Sequence, residues 1–340
     1  MAREHWLIDP VDYPLEGSPR EKLEFLLRYA VLAPSSHNAQ PWLFRIGEAH
    51  VDVLADRTRA LPVVDPFDRE LTIGCAAAAE MLAVGMRAHG HLGELKALPS
   101  PEEPDLIVRV GIGPASPPSE RDRAMRDAIV SRVTDRRAFS GEAVPAAAQE
   151  EMAAAAAMHG VAFAAVAERD GKHAIAELVA EGDRRQFADP SFRRELAQWL
   201  HPRMTGDGLA LGSNEILDIF TPVAALVVRS FDIGAGQAAR DLELAEHSPL
   251  LVVLATSGDD PTAWIAAGRA LAAVSLTATL HGLSGSYLSQ PIEIADLRGK
   301  LAAAAGASGT PQLLMRFGAP RPDIAPMPHA ARRPLPSLFA

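Results

Sequence analysis

The chain has 340 residues, 48% hydrophobic and 22% charged, values typical of a globular protein with one large or two ordinary units and an ample core. Its formal net charge of −10 argues against nucleic acid or an anionic membrane surface as the main partner. The single cysteine, Cys75, excludes an internal disulfide and a cysteine-based zinc cluster, so a reducing cytoplasm is the expected compartment.

Residues 1–20 read as a charged, proline-bearing arm without a secretory apolar run. A helix is expected from Ser18-Pro19, with proline at its first position and Leu23, Leu26, Leu27, Ala30 and Val31 on its apolar face. The string Ala33-Pro34-Ser35-Ser36-His37-Asn38-Ala39-Gln40-Pro41-Trp42 follows, leading into strands over 42–46 and 51–55. Its hydroxyls and amides suit a planar polar ligand, and equally a turn that satisfies its own backbone. An apolar helix is expected over 69–89, closed by Gly90, then a linker at Pro99-Ser100-Pro101 and a strand over 105–110. Residues 113–120, dense in proline and serine, mark a boundary. No run reaches the roughly 18 uninterrupted apolar residues of a membrane helix.

The second part opens with a helix expected to carry Ile129, Arg132, Arg136 and Arg137. A helix over 146–158, a strand over 161–166 and a helix over 172–181 come next. The segment 184–220 differs in character, with an amphipathic stretch (Phe192, Leu196, Trp199, Leu200) and then Gly206, Gly208 and Gly212. It reads either as a surface subdomain or as a lid over a pocket. A strand over 250–256, a helix from Pro261, strands over 286–289 and 312–317 and a Pro-rich tail complete the chain. Residues 73–90 recur at an offset of 192, His89-Gly90 falling on His281-Gly282. Residues 104–111 recur at an offset of 207 as 311–318. Two matches in the same order favour a duplicated unit.

The string from Ala33 to Trp42 resembles the APSSxNxQPW signature of the nitroreductase-like superfamily of FMN-dependent oxidoreductases. The duplication further resembles the Acg-like tandem branch of that superfamily. The resemblance implies an α+β duplicated nitroreductase-like fold, a central mainly antiparallel sheet flanked by helices in each half, forming a single-chain pseudo-dimer. Residues 1–115 would supply the PSSxN loop, 120–330 the phosphate and N5 contacts with a lid inserted at 184–220, and 331–340 a phosphate-binding tail. Pro34, Ser35, Ser36 and Asn38 would line the FMN. Residues 131–139 are similar to the family's RRSxRxF pattern, which assigns Arg132 and Thr134 to the phosphate and Arg136 to the ring edge. Phe139 lies one residue late and Val133 replaces a basic residue, so Arg137 is open to either role. Leu288, Ser289 and Gln290 stand at the loop whose backbone faces flavin N5, and Arg332 and Arg333 match the terminal basic pair.

The function implied is hydride transfer from NAD(P)H through FMN to a nitroaromatic, quinone or similar acceptor in ping-pong order. The alternative is a flavoprotein that sequesters FMN with little turnover. No side-chain acid is named as catalytic. Among eleven histidines no metal-binding spacing occurs, and Ser35 and Ser36 lack a nucleophile elbow. His37 is expected to face solvent, and His89 and His281 to cap their helices. With the loop in the first half and the arginines in the second, one FMN per chain and a monomer are expected.

Overall fold

A computed structural model of the chain describes residues 4–202, 205–209 and 221–340. In the first half, α1 (Pro19–Ala30) starts on a capping box, Ser18 Oγ accepting from Glu21 N and the Glu21 carboxylate accepting from Ser18 N. Strands β1 (Trp42–Ile46) and β2 (His50–Ala55), helix α2 (Arg69–Ala88), and strands β3 (His91–Ala97) and β4 (Leu106–Ala115) follow. They form an antiparallel sheet of order β1-β2-β4-β3.

The second half repeats this order. Helices α3 (Glu120–Ser131) and α4 (Ala146–Ala157) lead to β5 (Ala162–Val166). Helices α5 (Arg169–Ala188), α6 (Pro190–Gln198), α7 (Thr221–Ser230) and α8 (Gly234–Glu246) stand between β5 and β6 (Leu250–Thr256). Then come α9 (Pro261–Leu280), β7 (Ser284–Tyr287), α10 (Gln290–Glu293), α11 (Ala295–Ala305) and β8 (Thr310–Gly318). The sheet order is β5-β6-β8-β7, again antiparallel throughout, so β1 to β4 match β5 to β8 one for one. A register shift recurs in the central pair of each sheet, at Val53/Leu54 and at Leu254/Ala255. The fold is therefore a duplicated α+β unit, and the chain is its own pseudo-dimer.

The two halves join through α2 and α9. At Gly268 a Cβ would lie 2.2 Å from the Ile73 carbonyl oxygen, so only glycine lets these helices approach this closely. Both helices are long and apolar enough to cross a membrane, yet 94% and 61% of their apolar windows are buried inside this protein. They are the shared core, which also takes in Trp42, Phe44, Leu82 and Phe317.

The structure departs from the sequence reading in places. Helix α3 ends at Ser131, so Arg132, Arg136 and Arg137 lie beyond it on extended or loop backbone. Strand β3 went unread because Gly93, Glu94 and Lys96 interrupt its apolar pattern. The first half joins β1 to β2 by a short turn at 47–49, whereas the second inserts 167–249 at that place. Residue 184 thus falls within α5, and within the expected lid residues 203–204 and 210–220 lie outside the described residues.

Candidate functional site

Residues 31–41 leave α1 as a loop with a strained backbone: φ is positive at His37 (50°), Asn38 (52°) and Gln40 (52°). Left-handed backbone at non-glycine residues costs on the order of 1 kcal/mol each and persists only when neighbours hold it. Here they do. Ser35 Oγ accepts from Gln40 N at 2.9 Å, and Asn38 Nδ2 donates to the carbonyls of Gly208 (3.2 Å) and Ala331 (3.1 Å). Gln40 Nε2 donates to Gly206 O at 2.9 Å, and Arg59 binds both the Ala39 carbonyl and Asp207. The inserted segment 205–209 and the C-terminal tail therefore both fasten onto this loop.

Two arginines from distant parts of the chain converge beneath it. Past α3 the chain lies along β7, Thr134 bridging Gly285 and Asp135 N donating to Gly285 O at 3.1 Å. This aims Arg132 inward, where its Nη2 donates to Leu32 O at 3.0 Å. Arg332 reaches the same carbonyl at 2.9 Å and also binds Ala33 O (3.1 Å) and Asn38 Oδ1 (3.1 Å). The two residues are 5% and 3% exposed, and among the described residues neither pairs with a carboxylate. The Nε of each is buried without a partner. Burial, and then the neighbouring Arg132, push Arg332 down to about 9, and burial lowers Arg132 as well. A pair of desolvated, unneutralised cations is costly unless an anion completes it, and paired guanidinium forks suit a phosphate dianion. A small cavity beside Arg132 is lined by that residue with Val133, Ser275, Thr279, Gly285, Tyr287 and Phe317.

The remaining expected residues are distributed around this pair. Thr134 Oγ1 accepts from Arg132 at 3.3 Å. Pro34 is buried in the loop, and Ser36 donates to the buried Glu70 carboxylate. Arg136 is exposed, and with burial as the larger cause it depresses His37 to about 4. His37 is half-buried, its Nδ1 enclosed, and so does not face solvent as expected. Arg137 grips Asp135 with two bonds (2.9 and 2.7 Å) and donates to Ala325 O, which removes it from the pair. Arg333 instead binds Asp56 at 3.2 Å and Gln40 O. The Leu288 amide is held by Leu314 O, whereas Ser289 O caps α10 by accepting from the Ile292 and Glu293 amides. Gln290 Nε2 donates to Asp241 (2.9 Å) and Asp183 (3.1 Å). His89 Nδ1 caps α2 at Gly85 O as expected, while His281 turns instead to Glu151 at 3.3 Å.

Several neighbours escaped the sequence reading. Asp183 is 2% exposed; burial, then Asp241, lift it to about 7. Its signal was faint, a lone Asp amid the charges of 181–185. Glu70, beside Ser36, sits in an ordinary Asp-Arg-Glu helix start, and Tyr287 inside a run read for its backbone alone.

No family model matches the chain. Among curated proteins it is 32% identical to the "Putative NAD(P)H nitroreductase Rv3131" of Mycobacterium tuberculosis over 316 residues, covering 93% of this chain and 90% of that protein. It is 27% identical to the same organism's "Putative NAD(P)H nitroreductase acg" over 313 residues (92% and 93%). It is 24% identical to the "Probable NAD(P)H nitroreductase PigM" of Serratia sp. over 332 residues (92% of each). Among solved structures, the "FMN and NADPH-dependent nitroreductase NfnB" of a Sphingopyxis strain aligns at TM-score 0.42 and 17% identity, covering 64% of this chain and 97% of that one.

Proposed function

The chain belongs to the NAD(P)H nitroreductase family, and from that premise we propose that it is an FMN-dependent oxidoreductase that takes its electrons from NAD(P)H. The observation that carries the cofactor is the buried Arg132–Arg332 pair, which has no carboxylate partner among the described residues and fits the phosphate of FMN. Arg132, Arg332 and Thr134 hold that phosphate, and Pro34, Ser35, Ser36 and Asn38 wall the cofactor. Arg136 offers positive charge toward the ring edge, and the backbone of Ser289 or Gln290 offers the N–H toward N5. FMN held there would supply a two-electron carrier between NAD(P)H and, in ping-pong order, a nitroaromatic, quinone or similar acceptor. The chain's own part is to bind and orient. His37, held neutral, adds no cation beside Arg136.

A second reading, sequestration of FMN with little turnover, draws support from the fastening of 205–209 onto the loop, where that stretch would act as part of a lid. Fluorescence titration of the apoprotein with FMN tests the cofactor, and anaerobic mixing with NADPH separates the two readings. Rapid bleaching of the flavin supports the enzyme; flavin that stays oxidised supports sequestration. A protein that takes up no FMN refutes both.

A further inference from the structure

The N-terminal arm reaches the arginine pair. Trp6, at the end of a single turn (Glu4–Trp6), is 5% exposed, and its Nε1 donates to Ala330 O at 3.0 Å. Its ring stacks on His329 (4.2 Å between centroids, 16° between planes). The Arg332 guanidinium lies 4.9 Å from the same ring centroid. The next residue is tied down too, since Leu7 O accepts from Arg28 on α1 at 3.0 Å.

We infer that Trp6 is a positioning residue for the cofactor phosphate, holding Arg332 in place through the face of its indole. The inference rests on the FMN reading above. A buried guanidinium needs a partner that desolvates and orients it. A carboxylate would do so by neutralising the cation, which would leave nothing for a phosphate to bind. An aromatic face attracts and orients the cation while leaving its charge unneutralised. Arg332 has the second kind of partner at its ring side and carbonyl acceptors at its edge, so its charge remains available to a dianion. The bond to Ala330 and the stack on His329 fix the tail from which Arg332 projects.

The test compares FMN with riboflavin, which lacks the phosphate, by fluorescence titration of the apoprotein. Trp6→Leu should weaken FMN on the order of tenfold, the size of a desolvated cation–π contact, and leave riboflavin affinity within a factor of two. In an Arg332→Ala background the same change should cost nothing further, because the group it positions is gone. Trp6→Phe keeps a ring face and should lose only part of the FMN affinity; should Trp6→Leu fail to fold, as judged by circular dichroism, Trp6→Phe alone decides by whether its loss is confined to FMN. Equal losses for FMN and riboflavin, full additivity with Arg332→Ala, or unchanged FMN affinity would each overturn the inference. An unaltered protein that binds no FMN would overturn the cofactor reading, and this inference with it.

Discussion

Replacing Arg132 with methionine should move two observables in opposite directions. The side chain is 5% exposed and shares the Leu32 carbonyl with Arg332. Removing it orphans no backbone acceptor, because Arg332 still donates to Leu32 O. In the apoprotein one of two buried, unneutralised cations disappears and an apolar side chain of similar length fills its place, so stability should rise by about 1–2 kcal/mol. That corresponds to an upward shift in Tm of roughly 1–3 °C. For the ligand the sign reverses. Losing a charge-assisted phosphate contact should cost on the order of 1.5–3 kcal/mol, roughly 10- to 150-fold in Kd for FMN. Differential scanning calorimetry of the apoprotein and fluorescence titration with FMN measure the two effects, with riboflavin as the phosphate-free control. A variant that binds FMN as before would refute the phosphate assignment. A fall in apoprotein Tm of several degrees would refute the claim that the pair is unneutralised.

At Gly268, alanine would bring a Cβ to 2.2 Å from Ile73 O, forcing α2 and α9 apart; urea unfolding should show a loss of about 2–3 kcal/mol. Asp183 gives a pH signature. Its folded carboxyl holds its proton to about 7 while the unfolded one releases it near 3.8, so between those values the folded state binds more protons and stability falls as pH rises. Below about pH 4 that penalty is absent and above 7 it is complete, so Asp183→Asn should flatten the decline and stabilise the protein at pH 8 by on the order of 2–4 kcal/mol. A pH series of chemical denaturation in which the variant keeps the wild-type slope would remove Asp183 as its source. Flavin absorbance against amino-acid analysis should give one FMN per chain, in a particle of monomer mass by light scattering; two per chain would contradict the single-site reading.

The duplication was legible because it rests on long, regular elements. Helix patterns around Ile73 and Ile265 and strands around Val108 and Leu314 repeat in order, and the structure places them at equivalent positions of two sheets. The loop from Ala33 to Trp42 was legible for its composition, but its strain was not, since no local rule puts three left-handed residues on His37, Asn38 and Gln40. That geometry is imposed by residues 165 or more positions away, Gly206, Gly208 and Ala331. The choice between adjacent arginines was hidden for the same reason. Arg136 and Arg137, like Arg332 and Arg333, are indistinguishable by residue type, and what separates them is whether a carboxylate stands nearby. Asp135 takes Arg137 and Asp56 takes Arg333, whereas among the described residues no carboxylate pairs with Arg132 or Arg332. The N-terminal segment read as an arm because its buried apolar residues, Trp6, Ile8 and Tyr13, are scattered among charges and prolines, and Trp6 finds its partners near the opposite end of the chain.

A duplicated fold starts with two equivalent pockets, and on the FMN reading proposed above the residues at the second are the poorer match to a phosphate. The strained loop of 31–41 between α1 and β1 has its counterpart between α4 and β5 at 158–161, too short to make a comparable wall. By the 192 offset, Ser275 and Thr279 at the first cavity correspond to Ala83 and Arg87. Arg87 is already paired with the buried Glu80 carboxylate at 3.1 Å, and Arg269 from α9 joins the same carboxylate at 2.9 Å. The stretch leading into α1, which stands where Arg132 leads toward α4, contributes Tyr13, packed against Phe25 and His89. The arginine nearest that position, Arg20, is exposed and pairs with Glu24. The first site thus gathers cations that lack carboxylates among the described residues, and the second gathers a carboxylate that has its cations. A phosphate brought to the second would find those donors already engaged by Glu80, and would have to compete for them with a carboxylate that is already seated. Divergence after duplication therefore reads as a change in charge pairing: the same α2–α9 scaffold has, among the described residues, two buried arginines without a carboxylate partner on one side and a closed ion-pair network on the other.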